Sequence, residues 1–474
     1  MADGSQYNPP SPDPTAVKET IARVLDAQRA YFAAGETLPQ HAREAQLRSF
    51  LASVQKHEND IIEALREDMG RSSMEAYLSE VGYVTGEIRT ALKSLGKWMR
   101  PKRMFSPLAA APSRSALYSQ PLGLTLIVGP WNYPVQLALA PVVGAVAAGN
   151  VCLVKPSELA PASSAVVKAI IDEAFDERWV AAIEGGLETS QALLEHRWDH
   201  IFFTGGTEIG RIYAKAGAEH LSRVTLELGG KSPTIVTESA DLDVAAKRIA
   251  WGKWFNTGQT CIAPDYILAH SSIRDALIEK IGAAAKEFYG EDPQKSPDYG
   301  RIINDRHFKR VASLIDPDKV AHGGQTDAAD RYIAPTVLTD ITLDDRVMGE
   351  EIFGPVLPVM QYSSMDEVID TVARRPNPLA LYLFTTNPAD EKLVLDRISF
   401  GGGCINNTLL HFSDHKLPFG GVGSSGLGAY HGHHSFEVFS HKKGVLKTAN
   451  FIDPSVKYPP YDEKKARILR KLVN

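Results

Sequence analysis

Cys261 lies in the run Phe255-Asn256-Thr257-Gly258-Gln259-Thr260-Cys261-Ile262-Ala263-Pro264, and Glu227 in Leu226-Glu227-Leu228-Gly229-Gly230-Lys231-Ser232-Pro233. A thiol and a carboxyl group are a nucleophile and a proton acceptor, the two things covalent chemistry at a carbonyl requires. A free thiol has a pKa of ~8.5, so it needs a nearby base or a helix N-terminus to become reactive at neutral pH. An isolated cysteine is more often an inert core residue. Gly258, Gln259 and Thr260 make a poor core, however, and a good turn that exposes one side chain. Cys152 and Cys404 sit in apolar or strand-like runs and read as core. Glu227 ends a strand-like run. It is either a solvated strand end or a group aimed into a crevice, where burial raises its pKa toward that of a general base.

Other segments carry weaker signals. Glu350 and Glu351 precede Ile352-Phe353-Gly354-Pro355. Neighbouring carboxylates face different ways, so one can serve a site while the other stays solvated. In Trp131-Asn132-Tyr133-Pro134 the asparagine amide reads as a turn or cap residue, or as a donor to a developing oxyanion, worth ~3 kcal/mol in a transition state. Thr204-Gly205-Gly206-Thr207-Glu208-Ile209-Gly210 follows a strand-like run and opens a helix, whose free N–H groups attract an anion. It is not the G-x-G-x-x-G fingerprint. Lys155-Pro156-Ser157-Glu158 follows another strand; its lysine and glutamate could hold ribose hydroxyls, and the carboxylate disfavours a 2′-phosphate. Pro418–Gly426 is glycine-rich without the lysine of a phosphate-binding loop, and reads as a wall segment. His431-Gly432-His433-His434 has no supporting ligand spacing, so no metal is expected and a polar loop at a subunit contact is the better reading.

The elements that must position these residues follow from periodicity. Residues 1–14 read as a disordered tail rich in Pro, Ser and Asp. Three amphipathic helices follow, with faces at Val17, Ile21, Val24 and Leu25; at Leu47, Phe50, Leu51 and Val54; and at Tyr77, Val81, Val84 and Ile88. Short apolar runs then alternate with helical stretches at Leu124–Val128, Val151–Val154, Val180–Ile183, His200–Phe203 and Val224–Glu227. That alternation implies a parallel sheet covered on both faces, with ligands beyond the carboxyl ends of its strands. Thr234–Val236, Tyr266–Ala269, Val356–Met360 and Leu379–Phe384 predict a second α/β unit with Cys261 near its start. Residues 113–120 and the end beyond about Gly428 fit neither unit; exposed strands of this kind often pair with another subunit.

The bulk numbers bound the rest. The 474 residues suffice for two or three domains, and 44% hydrophobic with 23% charged residues is ordinary for a soluble globular chain. A formal net charge of −6 argues against binding nucleic acid. Three cysteines make no disulfide framework, which suits a reducing, cytoplasmic setting. Residues 134–154 are apolar enough to suggest a membrane span. They contain Gln136, Pro141 and Asn150 and break at Gly149-Asn150, so a buried helix running into a buried strand is expected, with no transmembrane anchor.

Glu227–Pro233, Gly258–Pro264 and Glu350–Pro355, in this order, resemble the NAD(P)-dependent aldehyde dehydrogenase superfamily across nearly the whole chain after the tail. Thr260–Tyr266, Tyr430-His431-Gly432 and the short length resemble its class 3 branch, which handles aromatic and medium- to long-chain aliphatic aldehydes. The resemblance implies an α/β fold: a Rossmann-type cofactor domain (15–112 and 121–228), a second α/β catalytic domain (229–428) and an oligomerisation arm (113–120 and 429–474), with a homodimer expected. It implies that Cys261 attacks the aldehyde and that Asn132 and the Cys261 N–H hold the oxyanion. Glu227 or Glu351 activates the hydrolytic water. Glu351 and Phe353 otherwise position the nicotinamide ribose and ring. Lys155 and Glu158 resemble the adenosine-ribose contacts, and the turn Gly205, Gly206, Thr207, Glu208, Ile209, Gly210 and Arg211 resembles the pyrophosphate contact, with Trp131 and Leu228 also at the cofactor. Gly206 stands where many relatives have serine, which removes one hydroxyl. NAD is the expected cofactor, and the branch often accepts NADP. Tyr133, Trp251, Phe255, Phe412 and Phe419 are candidates for an apolar aldehyde tunnel, although aromatics at helical spacing are more often core. The competing readings are acyl transfer to coenzyme A or phosphate, and a non-catalytic dinucleotide-binding protein.

Overall fold

A computed structural model describes residues 14–473. The expected tail falls outside the described residues except for Pro14, which opens the first helix. Helices Pro14–Ala33, Gln40–Lys56 and Glu58–Met69 come first. Ile21, Val24, Leu25, Leu47, Phe50 and Val54 are buried, while Val17 and Leu51 are half-buried. Val81, Val84 and Ile88 are buried as well, but Tyr77 is 41% exposed. The reason is a π-helical turn at Tyr77–Val81, between Ser73–Ala76 and Gly82–Trp98. A π turn shifts the helical register, so Tyr77 leaves the face that the later residues share.

The first sheet has six strands in the order Val180–Ala182, Val151–Lys155, Leu124–Val128, His200–Thr204, Arg223–Glu227 and Gly426–Leu427. The first five are parallel, and the last returns antiparallel against Leu226 and Glu227. Chain order reverses direction between Leu124–Val128 and His200–Thr204, which opens a crevice at their carboxyl ends. The apolar stretch flagged above is the helix Gln136–Ala148, buried along its whole length, turning at Gly149 (φ +89°) into the buried strand Val151–Lys155. Burial on both faces is why that sequence carries no amphipathic pattern.

The second sheet has seven strands in the order Val320–His322, Thr336–Leu338, Val356–Tyr362, Tyr266–His270, Pro233–Val236, Ala380–Phe384 and Gly402–Ile405, all parallel except the first. Leu228–Ser232 link Arg223–Glu227 of the first sheet to Pro233–Val236 of the second, and residues 406–425 lead back to Gly426–Leu427. The shorter connection brings the carboxyl ends of the first sheet to the amino ends of Pro233–Val236, Tyr266–His270 and Val356–Tyr362.

The strand Ser113–Pro121 pairs along nine residues with Ser440–Thr448 of the same chain, and its other edge takes Lys102–Met104. The two segments that fit neither unit thus pair with each other. Lys102–Met104, expected in the first unit, belongs to this third sheet, and Gly426–Leu427, expected in the second, completes the first. His431 does not lie in a polar loop. It is fully buried and leads into the helix Gly432–Val438, which packs on Gln136–Ala148.

Leu126 is fully buried in the central strand of the first sheet. Leu126→Ala should destabilise the fold by about 2–5 kcal/mol, read from the denaturant midpoint. Val445→Ala, at a position 39% exposed in the third sheet, should stay within about 0.5 kcal/mol in the monomeric state.

Candidate active site

A cavity of about 830 Å³ opens where the two sheets meet. From the first sheet it takes the loop after Leu124–Val128 (Trp131, Asn132, Tyr133), the turn after His200–Thr204 (Gly205, Gly206, Thr207, Glu208, Ile209) and the end of Arg223–Glu227 (Glu227, Leu228, Gly229). From the second it takes Cys261 before Tyr266–His270, and Glu350, Glu351 and Phe353 before Val356–Tyr362. Trp251, Phe255, Phe412 and Phe419 complete one wall.

Cys261 reaches this cavity through an unusual turn. After the helix Leu242–Trp254, three consecutive residues adopt left-handed backbone: Asn256 (φ +52°), Thr257 (φ +54°) and Gly258 (φ +74°). A side chain at Gly258 would meet Gly354 O at 2.2 Å. The non-glycine residues cost roughly 1–3 kcal/mol each, so neighbouring bonds must hold them. Asn256 Nδ2 donates to Asn132 O (2.9 Å) and Gln259 O (3.1 Å). Asn132 is 4% exposed, and its Nδ2 donates to Gln259 O at 3.1 Å. Tyr133 Oη and Thr260 Oγ1 share a hydrogen bond of 2.6 Å. The asparagine loop and the cysteine loop are therefore stitched together directly.

Both carboxylates are starved of partners. Neither Glu227 oxygen has a hydrogen-bond partner, and Oε1 of Glu351 has none. Burial pushes the Glu227 carboxyl well above its usual range. Burial, and then the Asp265 charge, raises Glu351 to about 8, against an opposing N–H from Gly230. Burial also pushes the Cys261 thiol up, and the Glu351 and Glu227 charges add to this, in that order. Burial thus disfavours the charged form of all three groups. Gly229 makes this closeness possible, since a Cβ there would stand 1.9 Å from Glu351 Oε2. Glu350 is exposed and pairs with Arg310 at 3.1 Å.

The first-sheet side of the cavity fits a dinucleotide. The helix Thr207–Glu219 starts at Gly206 with no side-chain cap, and a Cβ on Gly206 would meet nothing within 4 Å. Free N–H groups facing open space suit a diphosphate. Trp131 and Phe353 rings meet edge-on at 5.2 Å beside Glu351. Lys155 is buried and pairs with the half-exposed Glu158 at 2.9 Å, at the end of the neighbouring strand and outside the cavity lining. Gly210 and Arg211 also lie outside the lining. Gly210 packs on Leu228, where a Cβ would come within 2.6 Å, and Arg211 pairs with Glu208 at the surface. Among the described residues no group of three or more His, Cys, Asp and Glu could hold a metal ion.

Several contributors were not legible in sequence. Leu78 and Tyr83 come from the π turn and the helix after it, and Leu409 and Tyr430 from distant segments. Tyr83 stacks on Phe412 at 4.4 Å, and Phe419 lies flat against His431 at 4.9 Å. The motif Tyr430-His431-Gly432 was the one available signal. His307, 4.9 Å from Trp131, also lines the cavity.

Residues 12–445 match the aldehyde dehydrogenase family. The chain is 44% identical over 438 residues to the 4,4′-diaponeurosporen-aldehyde dehydrogenase of Staphylococcus aureus, covering 92% of this chain and 95% of that protein. It is 45% identical to the dimeric NADP-preferring aldehyde dehydrogenase of Canis lupus familiaris, covering 94% and 99%. A substrate-bound structure of Staphylococcus aureus AldH superposes with a TM-score of 0.94 at 43% identity, covering 96% and 99%. With a match that spans most of its length, the chain belongs to the aldehyde dehydrogenase family.

Proposed function

We propose that this chain oxidises medium- to long-chain aliphatic or aromatic aldehydes to carboxylic acids, with Cys261 as the nucleophile. The observation that carries this reading is the shared cavity: Cys261, Glu227, Glu351 and Asn132 all face it, between an uncapped helix N-terminus and an aromatic wall. The nicotinamide cofactor, when bound, supplies the hydride acceptor that oxidation of the aldehyde carbon requires. The thiol of Cys261 gives its proton to solvent as the sulfur adds to the carbonyl carbon, and Asn132 Nδ2 with the Cys261 N–H receives the oxyanion. Glu227 is the base for hydrolysis of the resulting thioester. Its carboxyl group has no protein partner to surrender before it takes a proton from water. Glu351 holds the nicotinamide ribose, with Phe353 and Trp131 beside the ring. Glu208 and Ile209 form the diphosphate wall with Gly205, Gly206 and Thr207, while Arg211 and Gly210 support that turn from behind. Lys155 and Glu158 meet the adenosine ribose. NAD is the preferred cofactor, and NADP is accepted.

The aldehyde tail runs along Tyr133, Trp251, Phe255, Phe412 and Phe419. A water-activating glutamate favours hydrolysis over transfer to coenzyme A or phosphate. The first α/β unit serves as cofactor domain and the second as catalytic domain. The exposed third sheet and residues 429–474 form the arm of a homodimer. Three unpaired cysteines suit the cytoplasm, and among the described residues no helix is long and apolar enough to cross a membrane.

Absorbance at the NADH band, followed with NAD and a panel of long-chain and aromatic aldehydes, tests the activity; no signal with any of them would end it. Cys261→Ser should reduce turnover to background while cofactor affinity stays within about twofold. Glu227→Gln should accumulate an acyl adduct on Cys261, visible as a mass increase in the intact protein; an unchanged steady-state rate would remove Glu227 as the base. Glu351 is protonated below about 8 and ionised above it, and only the ionised group accepts from both ribose hydroxyls. The kcat/KM for cofactor should therefore rise with pH, about tenfold per unit below that point, and lose this limb in Glu351→Gln.

A further inference from the structure

The proposed reaction uses residues of the two sheets, yet a buried ionic cluster beside them comes from the N-terminal helices. Arg71 follows Gly70, the left-handed residue (φ +63°) that ends Glu58–Met69. It is 1% exposed. Its Nη1 pairs with Glu80 Oε1 at 2.6 Å. Its Nη2 donates to Asn132 O (2.5 Å) and to Asn256 Oδ1 (2.7 Å). The guanidinium carbon lies 4.9 Å from the Tyr133 ring centre. Glu80 Oε2 in turn accepts the N–H groups of Val135 (3.1 Å) and Gln136 (2.6 Å), at the start of the helix after the Asn132 loop. Glu75 accepts the N–H of Asn256.

One cation therefore bonds both loops that present the reacting groups: the backbone of the oxyanion asparagine and the first residue of the strained turn before Cys261. Arg71 and Glu80 do not line the cavity, so they act through other residues. We propose that Arg71, anchored by Glu80, is a positioning residue that sets the distance between Asn132 and Cys261; this rests on the catalytic roles given above. A planar guanidinium reaches three partners at once in fixed directions, which a lysine ammonium does not reproduce.

The test uses Arg71→Lys, the paired Arg71→Met/Glu80→Gln, which leaves no buried carboxylate unpaired, and Asn256→Ala, which keeps the arginine and removes its link to the cysteine turn together with the Asn256 bonds to Asn132 O and Gln259 O. Each is measured for melting temperature, cofactor dissociation constant, aldehyde kcat and the rate at which Cys261 is alkylated by iodoacetamide in the cofactor-free protein. The expected result is a kcat loss of roughly 10- to 100-fold with cofactor affinity within about twofold, and an altered alkylation rate at Cys261. Arg71→Lys should lie between wild type and the double variant. A kcat within about twofold of wild type in the folded variants, or a cofactor affinity that falls in step with kcat, overturns the proposal. Should both Arg71 variants fail to fold, Asn256→Ala decides by the same criteria. If wild-type protein oxidised no aldehyde, the reaction would be wrong, and the alkylation rates would still report on loop position.

Discussion

Removing Cys261, Glu227 and Glu351 from water in one cleft is the constraint that the remaining structure serves. Each pays a desolvation cost for its charged form, and near one another they would also repel as anions. Burial answers both difficulties by shifting the groups toward their neutral forms. Such an arrangement persists only if surrounding structure forbids the relaxation that would let the carboxylates reach solvent. Gly229, which admits Glu351 against the backbone, and the apolar wall of Trp251, Phe255, Phe412 and Phe419 are two parts of that enforcement.

The topology supplies the place. In an open parallel sheet, ligands lie beyond the carboxyl ends of the strands where chain order reverses, and the first sheet follows this rule with Asn132, the Gly206 turn and Glu227. The second sheet does not: Cys261 and Glu351 precede their strands. The five residues Leu228–Ser232 between the sheets turn one sheet's carboxyl ends toward the other's amino ends. The Cys261 thiol on one unit and an uncapped helix N-terminus on the other then share a cavity.

The N-terminal helices act as a clamp on this junction. A buried ion pair such as Arg71–Glu80 adds little net stability over an apolar pair, because desolvation offsets the attraction. Its value lies in direction. The cluster satisfies helix-start N–H groups at Val135 and Gln136 and fixes a left-handed turn that would otherwise relax.

Much of this was written in the chain. The alternation of apolar runs and helical stretches located five strands of the first sheet and four of the second, because burial on two faces demands continuous apolar sequence; the short strands Val320–His322, Thr336–Leu338, Gly402–Ile405 and Gly426–Leu427 carried no such signal. The motifs around Glu227, Cys261 and Glu351 marked the family, because a reacting thiol needs small neighbours and a close carboxylate needs glycine. Single-segment patterns failed where a contact partner lies far along the chain. Tyr77 left its expected face because a π turn shifted the register. Residues 113–120 pair with Ser440–Thr448 of the same chain, a partner more than 300 residues away that no local pattern names, and His431 became an aromatic filler in the core. Sequence by itself determined which residue types could react and which elements would carry them, since both follow from local chemistry and period. Tertiary structure alone decided their burial, their mutual distance and the arginine that ties their loops, because those depend on which distant segments exclude water from the same space.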